Sequence, residues 1–371
     1  MSVLQDACPP TPFSALSALY LNDTHHHLTD DFATFSPRPL GVASLAQVHA
    51  ATLPSGRRVA VKIQHPQVAR YSAIDIVTTQ FIFATIGYWF PEINLGWLAE
   101  EMEISLPQEL DFEREMENAE ITRGHFEKVA GSVLRIPEMI WAKKRILVME
   151  CIDPILPHPP KSLYPAPIAF LVAVRWLFGV CWPGLVMEGR RIDDLEFLSE
   201  HNISPHQVST ALGSIFDEMT FISGHLHCDP HLGNLLLQPH TPISRSDPNF
   251  RIVLLDHGLY RYLPQQLRVD YAQLWLSIIN NDIPRMKYYS QLVANVPPER
   301  FTLFASAMTG RDYGGVVRGE MAGLKVPRSV EEVARIRRGN VGGKIMLALV
   351  DLLSNMPRIM LLLLKTNDLT R

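Results

Sequence analysis

The 371-residue chain has little cysteine, and its spacing excludes the usual cysteine-based sites. The four cysteines, Cys8, Cys151, Cys181 and Cys228, lie far apart in the sequence, and no two of them form a C-x-x-C pair. A zinc knuckle and a disulfide framework are therefore excluded. We expect these residues to be buried or free thiols in a reducing compartment.

The chain also lacks an excess of charge of either sign. Its formal net charge is −4, and no run of five or six like charges forms a basic or acidic arm. Nucleic acid is therefore not expected as a partner. Apolar residues make up 47% of the chain, so it is neither disordered nor fibrous. The length suits two or three packed units, or one large two-lobed unit.

Residues 1–39 form a segment of mixed composition that we expect to be partly irregular. Residues 1–10 show neither a basic stretch with an apolar core nor an Arg-rich amphipathic pattern, so no targeting peptide is visible there. A triple histidine at His25–His27 lies next to Asp30 and Asp31. Three neighbours in a row cannot all face one ion, which favours a solvated loop over a metal site.

A β-hairpin that carries a lysine is the first clear element. Residues 43–52 have the pattern of a strand, Pro54–Gly56 that of a turn, and Val59–Ile63 that of an alternating β-branched strand. Lys62 lies inside the second strand, where an ammonium group is costly unless it is paired with a carboxylate or faces a phosphate. Taken alone, the same lysine also fits a strand edge with its stem on apolar surface.

The rest of the chain alternates between helical and extended patterns. Residues 67–130 have helical character, and residues 145–150 form a short apolar strand. Residues 204–223 predict an amphipathic helix, with Val208, Leu212, Ile215, Phe216 and Met219 on one side. Strands follow at residues 234–238 and 251–255, and residues 264–371 are predicted to be helical.

Two polar segments have the order and spacing that magnesium–nucleotide chemistry requires. His227–Asn234 reproduces the H-x-D-x-x-x-x-N spacing of a kinase catalytic loop, and Asp256–Gly258 stands where D-F-G would stand. This spacing predicts that Asp229 faces an acceptor hydroxyl or a water. It also offers Asn234 and Asp256 as hard oxygen ligands for magnesium. H-x-D-x-x-x-x-N followed by D-x-G, both downstream of V-A-V-K, is a specific indication of a kinase-like site. H-x-D by itself is not specific.

The same histidines admit a rival interpretation. His225, His227, Asp229 and His231 resemble the H-x-H-x-D-H cluster of binuclear zinc hydrolases, although the last histidine falls one residue late. A zinc site would leave the upstream lysine and both magnesium-ligand candidates without a role. The structural interpretation of His225 and His231 is that they hold backbone carbonyls in place.

Together, these motifs resemble those of the UbiB/aarF-domain (ABC1-type) atypical kinases. The matching segments are Gly41–His49 (G-x-A-S-x-A-Q-V-H), Val59–Gln64 (V-A-V-K-x-Q), Gln108–Phe112 (Q-E-L-D-F), His227–Asn234 (H-C-D-P-H-x-G-N) and Leu255–Gly258 (L-D-H-G). The D-H-G form, His65-Pro66, and K-T-N-D-L at Lys365–Leu369 resemble the mitochondrial aarF-domain subgroup. The resemblance covers about residues 40–153 and 189–371.

The resemblance implies an α+β, protein-kinase-like fold with two lobes. The small β-rich N-lobe with helices would occupy residues 40–153, and the larger helical C-lobe residues 189–371. An alanine-rich loop with one glycine would replace the glycine-rich loop, so its backbone approaches phosphates less freely. Ala43, Ser44 and Gln47 would contribute to the nucleotide site from that loop.

The remaining site residues follow from the same resemblance. Lys62 would grip the phosphates of ATP or ADP, Asp229 and Asn234 would form the catalytic loop, and Asp256 would hold magnesium. A helix carboxylate would pair with the lysine, and we choose Glu109 for this role.

Two other carboxylates remain open as the partner of that lysine. Glu101 and Glu103 are alternatives to Glu109, because sequence alone does not determine the rotation of the helix. Asp111 would belong to the same E-x-D element as Glu109.

Three departures from the family pattern stand out. Leu232 replaces a proline of the catalytic loop, which alters loop stiffness and removes no ligand. No K-x-G-Q occurs upstream of Gly41, so we expect that the chain is truncated at its start. Residues 154–188 interrupt the family pattern as a proline-rich and apolar insertion. The run at residues 168–187 is long enough to span a bilayer, but Arg175 near its middle argues against a spanning helix.

The resemblance implies ATPase-like activity, or a kinase activity toward a small or lipid-linked molecule, in support of mitochondrial lipid or quinone homeostasis. The alternative from another class is a catalytically inactive pseudokinase scaffold that works through partners. Contact with a membrane or lipid and a protein partner are further expectations, as is a mitochondrial location.

Overall fold

The computed structural model describes residues 10–89, 96–154, 187–242, 247–310, 348 and 351–369. The strands are β1 (Thr34–Val42), β2 (Ala46–Thr52), β3 (Arg58–Gln64), β4 (Leu134–Arg135), β5 (Met139–Lys143), β6 (Ile146–Glu150), β7 (Ile152–Pro154), β8 (Met187–Arg191), β9 (His225–His227), β10 (Leu235–Pro239), β11 (Phe250–Leu254) and β12 (Tyr260–Tyr262). The α-helices are α1 (Phe13–Thr24), α2 (Leu28–Asp31), α3 (Pro66–Trp89), α4 (Gly96–Glu109), α5 (Phe112–Phe126), α6 (Leu195–Glu200), α7 (Pro205–Asp217), α8 (Gln265–Ile279), α9 (Ile283–Ala294), α10 (Phe301–Thr309) and α11 (Arg358–Leu369). The α+β class expected from the sequence is confirmed.

The chain divides into two compact units, each assembled from three stretches of sequence. The β-rich unit contains Met1–His65, Val133–Ile203 and Leu232–Leu255. The helical unit contains Pro66–Ser132, Ser204–His231 and Asp256–Arg371. The lobe boundaries inferred from sequence, residues 40–153 and 189–371, stay a prediction.

An antiparallel sheet in the order β1-β2-β3-β6-β5 dominates the β-rich unit. The predicted hairpin is confirmed, since β2 and β3 pair from Ala46↔Gln64 to Thr52↔Arg58. Their turn contains Gly56 at φ +83°, a backbone conformation that glycine adopts without a steric cost. Strand β3 has a neighbour on each side and fully buries Val59 and Ile63.

The N-terminal segment packs onto this sheet. Leu16 and Tyr20 of α1 lie in one buried cluster with Val61, Ile146 and Val148 of the sheet. Burial of this apolar surface, at roughly 25 cal/mol per Å², is the main force that holds α1 in place. The segment that reads as mixed in sequence therefore contributes helices and most of β1 to the β-rich unit.

A second sheet of the β-rich unit has the order β4-β11-β10-β8-β7. The predicted strands at 234–238 and 251–255 are present as β10 and β11, each displaced by one residue, and Leu235 pairs with Leu254. Strands β7 and β8 pair in parallel, with Pro154 opposite Gly189. The two flanks of the proposed insertion are thus neighbours, as expected, while residues 155–186 between them lie outside the described part of the chain.

The helical unit contains a short segment of π-helix just before the catalytic loop. All five apolar residues predicted for the inner side of this helix are buried. Four of them lie in α7, and the fifth, Met219, lies in Glu218–Ser223, which is π-helical. Gly224 ends the segment at φ +71° and accepts a 2.7 Å hydrogen bond from the backbone N–H of Leu263. The chain then enters β9, which pairs with β12.

Two further features concern surface and thiols. Helix α3 exposes large apolar side chains, among them Val77 and Phe81. Within the described ranges, no helix has both the length and the apolar character needed to cross a bilayer. Residues 168–186 of the apolar run belong to the undescribed part. Cys151 and Cys228 are buried thiols outside any disulfide, as expected, and burial raises the pKa of Cys228 to about 12.

Candidate functional site

Pairing of two short strands brings the first part of the predicted catalytic loop and the D-H-G segment together in the helical unit. Tyr260 of β12 lies opposite His227 of β9, and the Cys228 N–H donates to the Leu259 carbonyl at 3.0 Å. Asp229 therefore lies two residues after the end of β9. Asp256 lies four residues before Tyr260, which is the first residue of β12. The two aspartates named from sequence spacing belong to one local structure.

His227 links the two segments through both ring nitrogens. Its Nδ1 accepts a 3.1 Å hydrogen bond from the Asp229 N–H, and its Nε2 donates to the Asp256 carbonyl at 2.9 Å. Because Nδ1 is an acceptor, the imidazole is neutral with its proton on Nε2. The ring is 1% exposed, and burial lowers the pKa of His227, which preserves this state.

Helix α5 holds the D-H-G segment from its other side. Glu115 is fully buried and accepts a hydrogen bond from the His257 N–H at 3.3 Å, while the Asn118 amide donates to the His257 carbonyl at 3.0 Å. Neither residue was predicted from the sequence. The available signal was a charged residue on the apolar face of α5, between Phe112 and Ala119, where an unpaired carboxylate would be costly.

Asp256 and Glu109 both lie close to Gly258. The Asp256 Oδ1 accepts from the Gly258 N–H at 2.9 Å. A Cβ atom added at Gly258 would lie 3.2 Å from that oxygen and 3.6 Å from the Glu109 Cα. Two acidic residues chosen from the sequence therefore lie beside one glycine, where an added Cβ would press on the Asp256 carboxylate.

The alternatives to Glu109 have other partners within the helical unit. Arg261 binds Gln108 and donates to Glu101 at 3.3 Å, and Ser105 also donates to Glu101 at 2.5 Å. The Gln80 amide donates to Glu103 at 3.0 Å. The pairing of Glu109 with the strand lysine stays a prediction.

The zinc-hydrolase interpretation does not suit the histidines as they lie. Both nitrogens of His227 are engaged by backbone groups, so neither offers a lone pair to an ion. His225 contacts the Thr122 hydroxyl at 3.3 Å and stacks on Tyr260 at 4.4 Å between ring centroids. The described residues contain no group of three or more His, Cys, Asp or Glu side chains able to hold a metal. His225 and His231 were expected to hold backbone carbonyls in place. In the structure, His227 binds backbone groups through both of its ring nitrogens.

In the β-rich unit, the alanine-rich loop is the turn between β1 and β2. Ala43 and Ser44 are exposed at this turn, and the Ala43 N–H donates to the Ala46 carbonyl at 2.8 Å. The ring of His65 contacts the Ala43 carbonyl at 2.9 Å through Nε2 and the Thr11 hydroxyl at 2.7 Å through Nδ1. The histidine after the lysine strand thus holds the loop.

Gln47 is buried beneath that turn, at 1% exposure. Its amide oxygen accepts from the Thr11 N–H at 2.8 Å, and its amide nitrogen lies 2.7 Å from His49 Nε2. The side chain therefore stabilises the base of the loop. A direct contact of Gln47 with nucleotide stays a prediction.

Lys62 and Asn234 complete the predicted set in the β-rich unit. Lys62 lies in the middle of β3, half-buried, with Val48 of β2 and Leu147 of β6 opposite it. Asn234 ends a turn of 3₁₀-helix before β10, and its carbonyl accepts from the Leu255 N–H at 3.0 Å. Asp256 is the next residue in the chain. The amide oxygen of Asn234 and the carboxylate of Asp256 are each of the oxygen type that magnesium prefers, and their joint role as its ligands stays a prediction.

A lysine strand in an antiparallel sheet, a catalytic loop and a D-x-G segment define a protein of the kinase-like class. The chain belongs to the ABC1 atypical kinase-like family, whose domain model matches residues 3–159 and 185–290. The match leaves residues 160–184, within the proposed insertion, outside the family pattern.

Relatives and a solved structure agree with this assignment. The chain is 43% identical to the ABC1 family protein MCP2 homolog of Schizosaccharomyces pombe over 100% of its length and 60% of that protein. It is 36% identical to AarF domain-containing protein kinase 1 of Xenopus tropicalis over 100% of its length and 62% of that protein. The chain thus spans about 60% of the length of these relatives.

The structure of Rv3197 from Mycobacterium tuberculosis, solved with erythromycin, has the same fold. It matches with a TM-score of 0.53 at 17% identity, over 95% of this chain and 82% of that one. The kinase-like fold expected from the sequence is confirmed.

Proposed function

We propose that this chain binds a magnesium–adenine nucleotide and acts on the terminal phosphate, as an ATPase or as a kinase of a small or lipid-linked molecule. The main observation in support is that the ring of His227 forms hydrogen bonds with the backbone of both Asp229 and Asp256. The side chains of both aspartates are partly exposed. Positioned polar groups are the main requirement of phosphoryl transfer.

Each predicted residue has a role in this proposal. Asp229 orients the acceptor hydroxyl or a water, and Asn234 with Asp256 holds the metal. Lys62 binds nucleotide phosphates and Glu109 is its carboxylate partner. Magnesium, when bound, neutralises charge on the phosphates. Ala43 and Ser44, exposed at their turn, are available to the nucleotide, and Gln47 supports them.

The proposed cellular role rests on the family resemblance and not on the geometry of the site. The D-H-G form and the K-T-N-D-L segment support a mitochondrial location and a role in lipid or quinone homeostasis. A lipid or membrane contact and a protein partner remain part of the proposal. The apolar side chains exposed on α3 support the first of these.

The test is unfolding of the full chain with ATP or ADP, with and without magnesium. A nucleotide present at 100 times its Kd stabilises the folded state by about 2.7 kcal/mol. For a chain of this size, that corresponds to a rise in Tm of roughly 3 °C. We expect the rise with magnesium and little without it.

Three variants assign the effect to the site. Asp256→Asn should abolish the magnesium dependence, and Lys62→Ala should weaken nucleotide binding without unfolding the unit. Asp270→Asn, at a partly exposed aspartate of α8 bonded to Gln266, is the matched control and should behave as the unchanged chain.

Two outcomes contradict the proposal. One is the absence of any magnesium-dependent shift in the unchanged chain, and the other is zinc at one or two ions per chain by metal analysis. Magnesium-dependent binding without turnover of nucleotide would support the pseudokinase scaffold in its place.

A further inference from the structure

The side chain of Asp229 has a cationic partner from a distant part of the sequence. Lys365 Nζ lies 2.8 Å from the Asp229 Oδ1, and the two side chains are 47% and 35% exposed. His231 Nε2 lies 3.8 Å from the other carboxylate oxygen. Lys365 opens the K-T-N-D-L segment, for which the roles assigned so far leave no function.

Helix α11, which carries Lys365, is firmly attached to the helical unit. Met360 and Leu363 are buried at 0% and 2% exposure. Two residues beyond the lysine, the Asn367 amide donates to the hydroxyl of Tyr271 on α8 at 2.7 Å, and Tyr271 is itself buried. The ammonium group is therefore presented to Asp229 from a fixed element.

We propose that Lys365 positions the Asp229 carboxylate and, with its remaining donors, binds the terminal phosphate of the nucleotide; this inference rests on the proposed function. An ammonium group has three N–H donors, of which the Asp229 contact uses one. The half-exposed side chain leaves the others accessible. A fixed positive charge beside the group that orients the acceptor stabilises the negative charge of a phosphoryl group in transfer.

Stability alone does not account for the pair. Ion pairs with this degree of exposure contribute little to folding. The Asp229 backbone is already held without the lysine, by its N–H on His227 Nδ1 and by its carbonyl, which accepts from the His231 N–H at 2.8 Å. What Lys365 adds is an orientation of the carboxylate and a positive charge.

The first measurement is magnesium-dependent turnover of ATP by the full chain and three variants. Lys365→Ala should lower kcat by about 100-fold, as loss of a charge-stabilising donor does elsewhere, and raise the KM for ATP by about 10-fold, with Tm nearly unchanged. Lys365→Arg should restore most of the rate because it keeps the charge. Arg358→Ala is the matched control: it removes another exposed pair on the same helix, with Glu100, and should leave kcat unchanged.

The second measurement needs no turnover. With magnesium present, Lys365→Ala should raise the Kd of a non-hydrolysable ATP analogue by about 10-fold, or one lost charged contact, and leave the Kd of ADP unchanged. If the lysine had only a structural role, its loss would change the Kd of the ATP analogue and the Kd of ADP by the same factor. This comparison also decides the matter if the chain binds nucleotide without hydrolysing it.

The inference is overturned if Lys365→Ala matches the unchanged chain in kcat and in both Kd values. It is also overturned if kcat rises, since the lysine would then block Asp229. Failure of the proposed function is a separate result, in which the unchanged chain binds neither nucleotide with magnesium.

Discussion

Lowering the pH should destabilise the helical unit, because protonation of His225 is unfavourable in the folded state. His225 is the first residue of β9 and lies two residues before His227. Its ring is stacked on Tyr260 and contacts the Thr122 hydroxyl, and burial is the main cause that lowers the pKa of His225 from 6.5 to about 4. A nearby His227 lowers that pKa further. The folded state therefore resists protonation at a pH where the unfolded chain already binds the proton.

The sign and size follow from proton linkage. Between pH 6.5 and about pH 4 the unfolded state binds more protons at this site, so the free energy of unfolding falls as pH falls. The contribution is fully present above pH 6.5 and is lost as pH approaches the folded-state pKa. From pH 7 to pH 5, a pKa displaced to about 4 corresponds to a loss of about 2 kcal/mol.

The assay is urea unfolding at pH 7 and pH 5, followed by far-ultraviolet circular dichroism. His225→Phe keeps a ring against Tyr260 and removes the titrating group. Its loss of stability between the two pH values should be smaller than that of the unchanged chain by about 2 kcal/mol, whatever its stability at pH 7. His206→Gln, at an exposed position of α7 bonded to Thr210, is the control and should keep the original pH dependence.

A difference of less than about 0.5 kcal/mol between the unchanged chain and His225→Phe would refute the reasoning. It would mean that the ring is hydrated in the folded state. Equal flattening in His206→Gln would refute it as well, because the effect would then not belong to the buried ring.

Alanine substitution at two glycines with similar φ angles should lower the free energy of unfolding by different amounts. Removal of a helix N-cap should also lower the free energy of unfolding measurably. Gly224→Ala should cost about 3 kcal/mol in urea unfolding, since φ is +71° and the new Cβ would lie 2.9 Å from the Leu263 carbonyl. Gly131→Ala, at φ +73° with open space around it, should cost only about 1 kcal/mol, and equal costs would contradict the steric argument. Asp111→Ala should cost about 1 kcal/mol because its carboxylate caps α5 by accepting from the Glu113 N–H. Asp111→Asn should recover most of that loss, and no loss in the alanine variant would contradict the capping role.

Local pattern was sufficient for the hairpin and for the strands around the predicted site residues. Alternating β-branched residues at Val59–Ile63 and a glycine turn act over a few neighbouring positions, so β2 and β3 are legible in the sequence. The spacing of His227–Asn234 and Asp256–Gly258 likewise records a local requirement, a strand, a turn and ligands at set intervals.

Strand β1 was not predicted, because its sequence contains Pro37 and Pro39. Proline cannot donate to a sheet and is found at edges and bulges. In the structure β1 is the edge strand of its sheet, with register shifts on either side of Pro39. Only the position of the strand in the finished sheet makes those residues acceptable.

The sequence by itself predicts which residues carry the chemistry: type and interval alone single out Lys62, Asp229, Asn234 and Asp256. The tertiary structure decided what surrounds them. Glu115 on α5 and Lys365 on α11 are far from the residues they contact, 142 and 136 positions away respectively, and nothing in a local window marks those partners. The physical reason is that a motif encodes short-range backbone geometry, whereas the partner of a buried or half-exposed charge depends on which helices pack together.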